Sequence, residues 1–362
     1  MKKVLKTQHG EVRLPAFFPD ATRATIKSVD TQAVLATQTP GLVMNTYHLA
    51  NLGLVDIIAG QGGLHNFTGW DRPIITDSGG FQAMSLVREF NTGGRFTEDG
   101  IIFQDSAGNK LELTPESCID YQLKLGSDII MILDDCTKPD MPMAEQLKSV
   151  ERTIRWAKRA RTHFDKAIKK IGHKPLLFSI VQGGGDRELR RTCAQELSKL
   201  NFDGYAFGGF PINEAGELQV ETMQAVVDDT PAEAIKYAMG VGTPEQIVKS
   251  VAMGYDLFDV VIPTREARHR KLYVWSGKPE ELDLNADFYS SITMKNLSLQ
   301  NDSGPIDPRC DCRACKNYSR AYVHTLFRAD QSVASQLASI HNLRFYSKLM
   351  ELLKTTWGHI ND

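Results

Sequence analysis

Eight short apolar runs recur along the chain, at 16–19, 42–46, 74–78, 129–134, 176–182, 205–208, 237–241 and 257–262, each followed by a helical pattern or a longer insertion. Runs this short, rich in β-branched and aromatic residues, read as buried strands rather than helices. Eight strand–helix units in series predict an α/β chain folded as a (β/α)8 barrel, and the eighth run places its closure near Pro263. The expected organisation is a catalytic barrel over 1–263, carrying a β-hairpin insertion near 88–113, and an appended subdomain over 264–362.

The intervening segments carry helix start and stop signals. Thr243-Pro244-Glu245-Gln246 supplies an N-cap hydroxyl, a proline at the first helical position and a capping-box glutamine, and Gly254 is placed to end that helix. Thr114-Pro115-Glu116 opens another, with Gly126 as its stop. Over 142–171, Ile154, Ala157, Ala160, Phe164, Ile168 and Ile171 are spaced to form one apolar stripe. The opposite face of that helix is basic, through Arg152, Arg155, Lys158, Arg159, Arg161, Lys169 and Lys170, and reads either as a solvated surface or as a phosphate contact. Turn residues Ser106-Ala107-Gly108-Asn109 belong to the predicted hairpin.

With 362 residues, 42% of them hydrophobic, the chain can fill a large core. Lys and Arg total 42 against 44 Asp and Glu, so any nucleic-acid surface must be local rather than global. The N-terminal lysines precede no apolar run, and no segment approaches a membrane span, so cytoplasm is the expected compartment.

Barrel enzymes place their chemistry where strands end, which makes the ends informative. Asp77-Ser78-Gly79-Gly80-Phe81-Gln82 follows the third run. It reads either as a tight strand-to-helix turn capped by Asp77 or as a loop for a flat polar molecule, with glycine backbone approaching it, Phe81 stacking on it and Gln82 bonding its edge. Asp259 stands inside Leu-Phe-Asp-Val-Val-Ile-Pro, an apolar run with no evident structural use for a charge. A salt bridge to Arg265 or Arg268 is one reading. Paired with Asp77, the other is glycosidic-bond chemistry, with one acid attacking an anomeric carbon and the other moving protons. Asp134 emerges from a third run, and a carboxylate accepts two parallel N–H bonds of the kind a guanine edge offers. Gln182 and the Gly208-Gly209 backbone complete an amide-like recognition surface. Arg265, Arg268, His269, Arg270 and Lys271 form a basic patch just after Asp259, where a nucleic-acid backbone would lie.

Cys310, Cys312 and Cys315 crowd into six residues, and His341 follows after a helical stretch. Three thiols and an imidazole suit tetrahedral Zn2+, with no open position and therefore a structural role; His324 competes for the fourth place.

These residues, in this order, closely resemble the tRNA-guanine transglycosylases of the bacterial type. The likeness runs from Asn45-Thr-Tyr-His48 through Asp77-Ser-Gly-Gly-Phe-Gln, Leu133-Asp-Asp-Cys-Thr, Ile180-Val-Gln-Gly-Gly, Gly204-Tyr-Ala-Phe-Gly-Gly, Met239-Gly-Val-Gly and Phe258-Asp-Val-Val-Ile-Pro-Thr-Arg265 to the cysteine cluster and His341. The resemblance implies exchange of guanine at wobble position 34 of a tRNA with a GUN anticodon for a 7-deazaguanine, typically preQ1. It implies Asp259 as covalent nucleophile, Asp77 as general acid/base, Ser78, Asp134, Gln182 and Gly209 as base-recognition residues, and Phe81 and Met239 as a sandwich around the ring. It further implies RNA contacts from Gly240, Val241, Gly242, Thr243, Pro244, Glu245 and Gln246 and from Thr264, Arg265, Glu266, Ala267 and Arg268, zinc on Cys310, Cys312, Cys315 and His341, and a homodimer. Two departures stand out. His269-Arg270-Lys271 replaces an Asn-Gly turn, and Phe210-Pro211-Ile212 replaces leucine and small residues beside Gly209. The alternatives are a non-catalytic tRNA-binding subunit, or a relative that uses queuine or acts on DNA.

Overall fold

Eight parallel strands close on themselves in sequential order. In the computed structural model, which describes residues 3–89, 94–104, 110–138 and 140–356, they are β1 (Ala16–Phe17), β2 (Leu42–Asn45), β3 (Ile74–Asp77), β4 (Ile129–Met131), β5 (Leu176–Val181), β6 (Gly204–Phe207), β7 (Ile235–Met239) and β8 (Leu257–Asp259). Each strand pairs in parallel with its sequence neighbour from β2 to β8, and β8 pairs with β1. The last seam, between β1 and β2, is made just beyond β1, where Val43 N donates to Pro19 O at 3.1 Å and Ala21 N donates to Val43 O at 2.7 Å. This is the (β/α)8 barrel expected from the eight runs.

The strands are shorter than the apolar runs at their carboxyl ends. The run at 257–262 yields only Leu257–Asp259, because Ile262–Arg268 is already helical with Pro263 at its start. The run at 237–241 slides back to Ile235–Met239, because Gly240 turns with φ +73. The run at 129–134 is paired only over Ile129–Met131. Of the residues beyond the paired strands, Asp134 and Gly240 line the cavity at the rim, while Ile132, Leu133 and Val241 turn into the surrounding core.

Strand alternation builds the interior. Ala16, Phe18, Val43, Ile75, Ile129, Met131, Phe178, Ile180, Ala206, Tyr237 and Leu257 form one apolar cluster, and Leu5, Val12 and Leu14 join it. Two residues farther along, six of the eight strands turn polar or glycine at the inward position, with Asp20, Asn45, Asp77, Gln182, Gly208 and Asp259, while Leu133 beyond β4 and Met239 on β7 stay apolar. Period-2 geometry thus places a ring of hydrogen-bonding groups directly above the apolar plug.

The predicted capping signals operate. Thr243 and Gln246 form a reciprocal capping box on the helix Pro244–Met253, which Gly254 ends at φ +107. Thr114 pairs likewise with Ser117 on Pro115–Leu125, ended by Gly126 at φ +72. The long helix runs from Met143 to Ala167 and tightens into a 3-10 turn over Ile168–Lys170; its stripe buries Ala157, Ala160 and Phe164.

The basic face of that helix is divided: Lys158, Lys169 and Lys170 are exposed, while its arginines are engaged with protein carboxylates. Arg155 Nε donates to Glu98 Oε2 at 2.9 Å, Arg152 Nε to Glu98 Oε1 at 3.3 Å, and Trp156 Nε1 to Glu98 O at 2.8 Å. Arg159 grips Glu116 through two bonds of 2.9 and 2.7 Å. The contacts to Glu98 dock the insertion, an antiparallel sheet of Arg95–Phe96, Ile101–Gln104 and Lys110–Leu113, against this helix, while the Arg159–Glu116 pair ties it to the neighbouring helix Pro115–Leu125. The expected turn at 106–109 lies outside the described residues.

After the barrel, Lys271–Trp275 pairs antiparallel with Tyr289–Thr293, and helices Arg313–Asn317, Arg320–Arg328 and Ser332–Thr356 follow. The last helix shares a core with the barrel through Phe345, Tyr346, Leu349 and Leu353, and the Tyr346 ring lies 4.8 Å from that of Phe17. No helix among the described residues is long and apolar enough to cross a membrane.

Candidate active site and metal centre

A cavity of about 350 Å³ opens at the carboxyl ends of the strands, lined by Asp77, Ser78, Gly79, Phe81, Gln82, Asp134, Cys136, Gly209, Phe210, Ile212, Tyr237, Met239 and Asp259, among others. All three strand-end acids singled out from the sequence therefore meet in one place. Gly79 sits at φ +73, and a Cβ there would lie 2.6 Å from Tyr47 Cβ, so only glycine permits the turn that follows Asp77.

Asp77 is held by three donors: Asn45 Nδ2 at 2.6 Å, Thr46 N at 3.1 Å and Gly79 N at 3.1 Å. Burial nevertheless dominates and pushes its pKa up to about 8, while those hydrogen bonds act in the opposite direction. Burial likewise lifts Asp259 to about 7 against the hydrogen bonds from Tyr237 and from Gly240 N, the latter 3.3 Å from Oδ1. Two carboxyls poised near neutrality on one cavity suit proton transfer and nucleophilic attack alike. The salt-bridge reading of Asp259 fails among the described residues, since Arg265 and Arg268 form no ion pair with it.

Asp134 reaches the cavity from the segment just beyond β4. Gln182 Nε2 donates to its Oδ2 at 2.6 Å, and burial raises it to about 6. The other end of that amide, Gln182 Oε1, is buried with no hydrogen-bond partner among the described residues, and so is Oε1 of Gln82, which lines the cavity. Buried acceptors without partners mark places where a ligand supplies donors. Gly208 must be glycine because a Cβ there would stand 2.5 Å from Gln182 Nε2. The Ser78 hydroxyl accepts from Gly80 N at 3.1 Å and also bonds Asp134. Phe81, 44% exposed, packs at 5.5 Å on Phe210, whereas Met239 lines the cavity from β7.

Three contributors escaped the sequence reading. Tyr237 is buried and bonds Asp259, yet in sequence it is simply an aromatic within an apolar strand. Arg190 is fully buried and donates to Val181 O, Gly184 O and Gly208 O, each at 2.9 Å, with its guanidinium 3.7 Å from the Phe207 ring centroid. It thereby ties together the ends of β5 and β6 that carry Gln182 and Gly208-Gly209. Asp20 follows Ala16 and Phe18 in the inward alternation, a signal the sequence already held.

The remaining expected nucleic-acid residues divide by burial. Val241, Pro244, Thr264 and Ala267 are buried, while Arg265 is exposed and Arg268 partly so. Glu245 accepts from Tyr289 OH at 2.7 Å, Gln246 Nε2 donates to Gly216 O at 3.0 Å, and the Tyr346 hydroxyl donates to Gly242 O. Beyond them, Lys271 pairs with Glu266 at 2.9 Å and Arg270 lies over the Phe327 ring at 5.6 Å.

At the far end of the chain, ligand atoms of Cys310, Cys312, Cys315 and His341 lie within 4.8 Å of one another, a set that can hold a metal ion. His341 Nδ1 faces the sulfurs of Cys315 and Cys312 at 3.2 and 3.7 Å, while Nε2 sits 2.6 Å from Tyr273 O. A carbonyl on Nε2 fixes the tautomer that leaves Nδ1 free to ligate. His324 is elsewhere, with Nδ1 on Met294 O at 2.8 Å. Asn342, next to His341, donates to Pro263 O at 2.9 Å and Lys271 O at 3.1 Å, so the helix that carries His341 also braces the segment after Asp259.

A (β/α)8 barrel with convergent strand-end carboxyls above an amide-lined cavity defines an enzyme equipped for work at a glycosidic bond. The chain matches the family model described as Queuine tRNA-ribosyltransferase over residues 3–356 and belongs to that family of pentosyltransferases. It is 40% identical to the queuine tRNA-ribosyltransferase of Methylacidiphilum infernorum over 362 aligned residues, covering 98% of this chain and 91% of that one. Against the protein of the same name from Novosphingobium aromaticivorans it is 39% identical over 347 residues, 96% and 88% of the two chains.

Proposed function

We propose that the protein exchanges guanine 34 of a tRNA with a GUN anticodon for a 7-deazaguanine, preQ1 or a close relative, through a covalent aspartyl–ribosyl intermediate, in the cytoplasm. Asp77 and Asp259 carry this reading, as two carboxyls held near neutral pKa on the same cavity.

Asp259, as carboxylate, attacks C1′ through an oxocarbenium-like transition state; the C1′–N9 bond breaks and the departing guanine takes the proton that Asp77 holds. The incoming base then gives its N9 proton to Asp77 and attacks C1′, and Asp259 leaves as carboxylate. Two displacements restore the original stereochemistry. Tyr237 and Gly240 N favour the charged form of Asp259 that the first step requires. Asp134, Gln182, Ser78 and Gly209 read the base edge, and Phe81 and Met239 flank its ring. The wobble nucleotide must leave its stack to enter, and the segments 240–246 and 264–268, with Arg265 exposed, flank its path.

The division into a catalytic barrel, 1–263, and a metal-binding part, 264–362, accompanies this reading. Zn2+ on Cys310, Cys312, Cys315 and His341 would be closed and structural. A homodimer is also proposed; Tyr322, 46% exposed and stacked at 5.2 Å on Tyr318, offers an aromatic surface for it. Incubating the protein with labelled guanine and either tRNA bearing G34 or duplex DNA tests the function. Label in tRNA alone is expected, and label in neither or only in DNA would overturn the proposal.

A further inference from the structure

Going around the barrel, β8, β1, β2 and β3 are consecutive, and their inward rim residues are Asp259, Asp20, Asn45 and Asp77. A third carboxyl therefore stands on the arc between the two that carry the proposed chemistry. Asp20 follows Ala16 and Phe18, both in the barrel interior, and bridges in parallel to Val43, which lines the cavity. Its own loop is tied to the same arc: Thr22 O accepts from Asn45 N at 3.1 Å, and Asn45 Nδ2 donates to Asp77 at 2.6 Å.

We propose that Asp20 is a positioning residue of the reaction site, a third acid whose charge sets the ionisation of Asp259 and Asp77 together. The inference rests on the roles proposed for those two residues. Thr22 Oγ1 donates to Asp20 Oδ1 at 2.5 Å and fixes the carboxyl in place. The charged and titratable groups facing it are Asp77 from β3, Asp259 from β8, Tyr237 from β7, His48 from Thr46–Asn51 and Arg268 from Ile262–Arg268, with Arg23 beyond His48. Asp20 acts on both reacting acids in the same sense, disfavouring their charged forms, while Arg268 and His48 favour its own. Like charges along one arc of the barrel rim disfavour one another, so the ionisation of the three carboxyls is coupled. A protonated Asp77 and an ionised Asp259 can then coexist near neutral pH, which the first displacement needs.

Asp20→Asn is the test, because the amide oxygen can still accept from Thr22 while the charge is gone. Both limbs of the pH profile of kcat/KM for base exchange are expected to move to lower pH, by about half a unit to one unit, and Asp20→Glu is expected to keep the wild-type profile. In parallel, carboxyl 13C titration of free wild-type and Asp20→Asn protein, labelled in aspartate, is expected to show lower midpoints for Asp77 and Asp259 in the variant. Unmoved midpoints in folded Asp20→Asn protein would overturn the proposal and leave Asp20 as a cap for the Thr22 turn. A wild-type protein that exchanges no base would instead count against the proposed function, with the carboxyl titration still deciding the role of Asp20.

Discussion

Gln182 donates to Asp134 at 2.6 Å directly behind the cavity wall that Asp134 forms, and the opposite end of the same amide, Oε1, is buried with no hydrogen-bond partner among the described residues. Asp134 lines the cavity and Gln182 holds it, with a spare acceptor beside it. Replacing Gln182 with Met keeps the volume and removes both contributions. The KM for the free base is expected to rise about tenfold to a hundredfold, each lost hydrogen bond to the ligand being worth about 1–2 kcal/mol, with a smaller change in kcat. Steady-state base exchange at varied base concentration checks it; an unchanged KM would remove Gln182 from base recognition.

Asp259 has a folded-state pKa of about 7, against about 3.9 in an unfolded chain. Between those values the folded protein retains a proton that the unfolded chain has lost, so this residue lowers stability progressively as pH rises toward 7. Asp259→Asn removes that dependence. Relative to wild type, the variant is expected to gain stability from pH 5 to pH 8, on the order of 1 kcal/mol because the carboxyl is partly open to the cavity. Urea unfolding at the two pH values measures the difference, and a variant whose relative stability falls with pH would contradict the shift.

Metal removal should couple stability to chemistry at a distance. Cys312→Ser is expected to lower bound zinc from about one atom per chain toward none and to destabilise the protein by several kcal/mol, on the order expected for losing a structural site. Because Asn342 holds Pro263 O and Lys271 O beside His341, exchange activity should fall in the same preparations. Elemental analysis with thermal unfolding tests this, and zinc-free protein of unchanged Tm would reject a structural metal.

Arg270 and Lys271 belong to the His269-Arg270-Lys271 segment that replaces an Asn-Gly turn, and the structure engages both with protein. Arg270 packs over Phe327 and Lys271 pairs with Glu266. Arg270→Ala is therefore expected to cost stability, about 0.5–1 kcal/mol for an exposed cation–π contact, while leaving the salt dependence of tRNA affinity unchanged. Arg265→Ala, at an exposed position, is expected to flatten that dependence by about one unit of slope. Affinities at several salt concentrations separate the two, and the reverse pattern would relocate the phosphate contact.

Most of the barrel was legible in the sequence because a buried parallel strand needs an uninterrupted apolar run, and eight such runs leave few other architectures. Asp77, Asp134, Gln182 and Asp259 were legible for the same reason, as polar residues interrupting or ending apolar runs. Tyr237 and Arg190 were not. An aromatic within an apolar strand reads as packing until its hydroxyl is seen on Asp259, and an arginine on an amphipathic helix reads as surface until its guanidinium is found buried against three carbonyls. The basic face of Met143–Ala167 misled in the opposite direction. Its arginines look wholly solvent-facing by helical periodicity, yet Arg152, Arg155 and Arg159 bond Glu98 of the insertion, a tertiary contact that no local pattern encodes.

The central claim, that Asp259 bonds covalently to the ribose once guanine departs, is tested most directly by trapping the intermediate. Wild-type protein mixed with tRNA bearing G34 and a non-reactive base analogue, then denatured, should retain RNA on a peptide containing Asp259 by mass spectrometry. Asp259→Asn should bind the same tRNA with similar affinity and retain none. An adduct mapped to another residue, or base exchange by Asp259→Asn at near wild-type rate, would contradict the account.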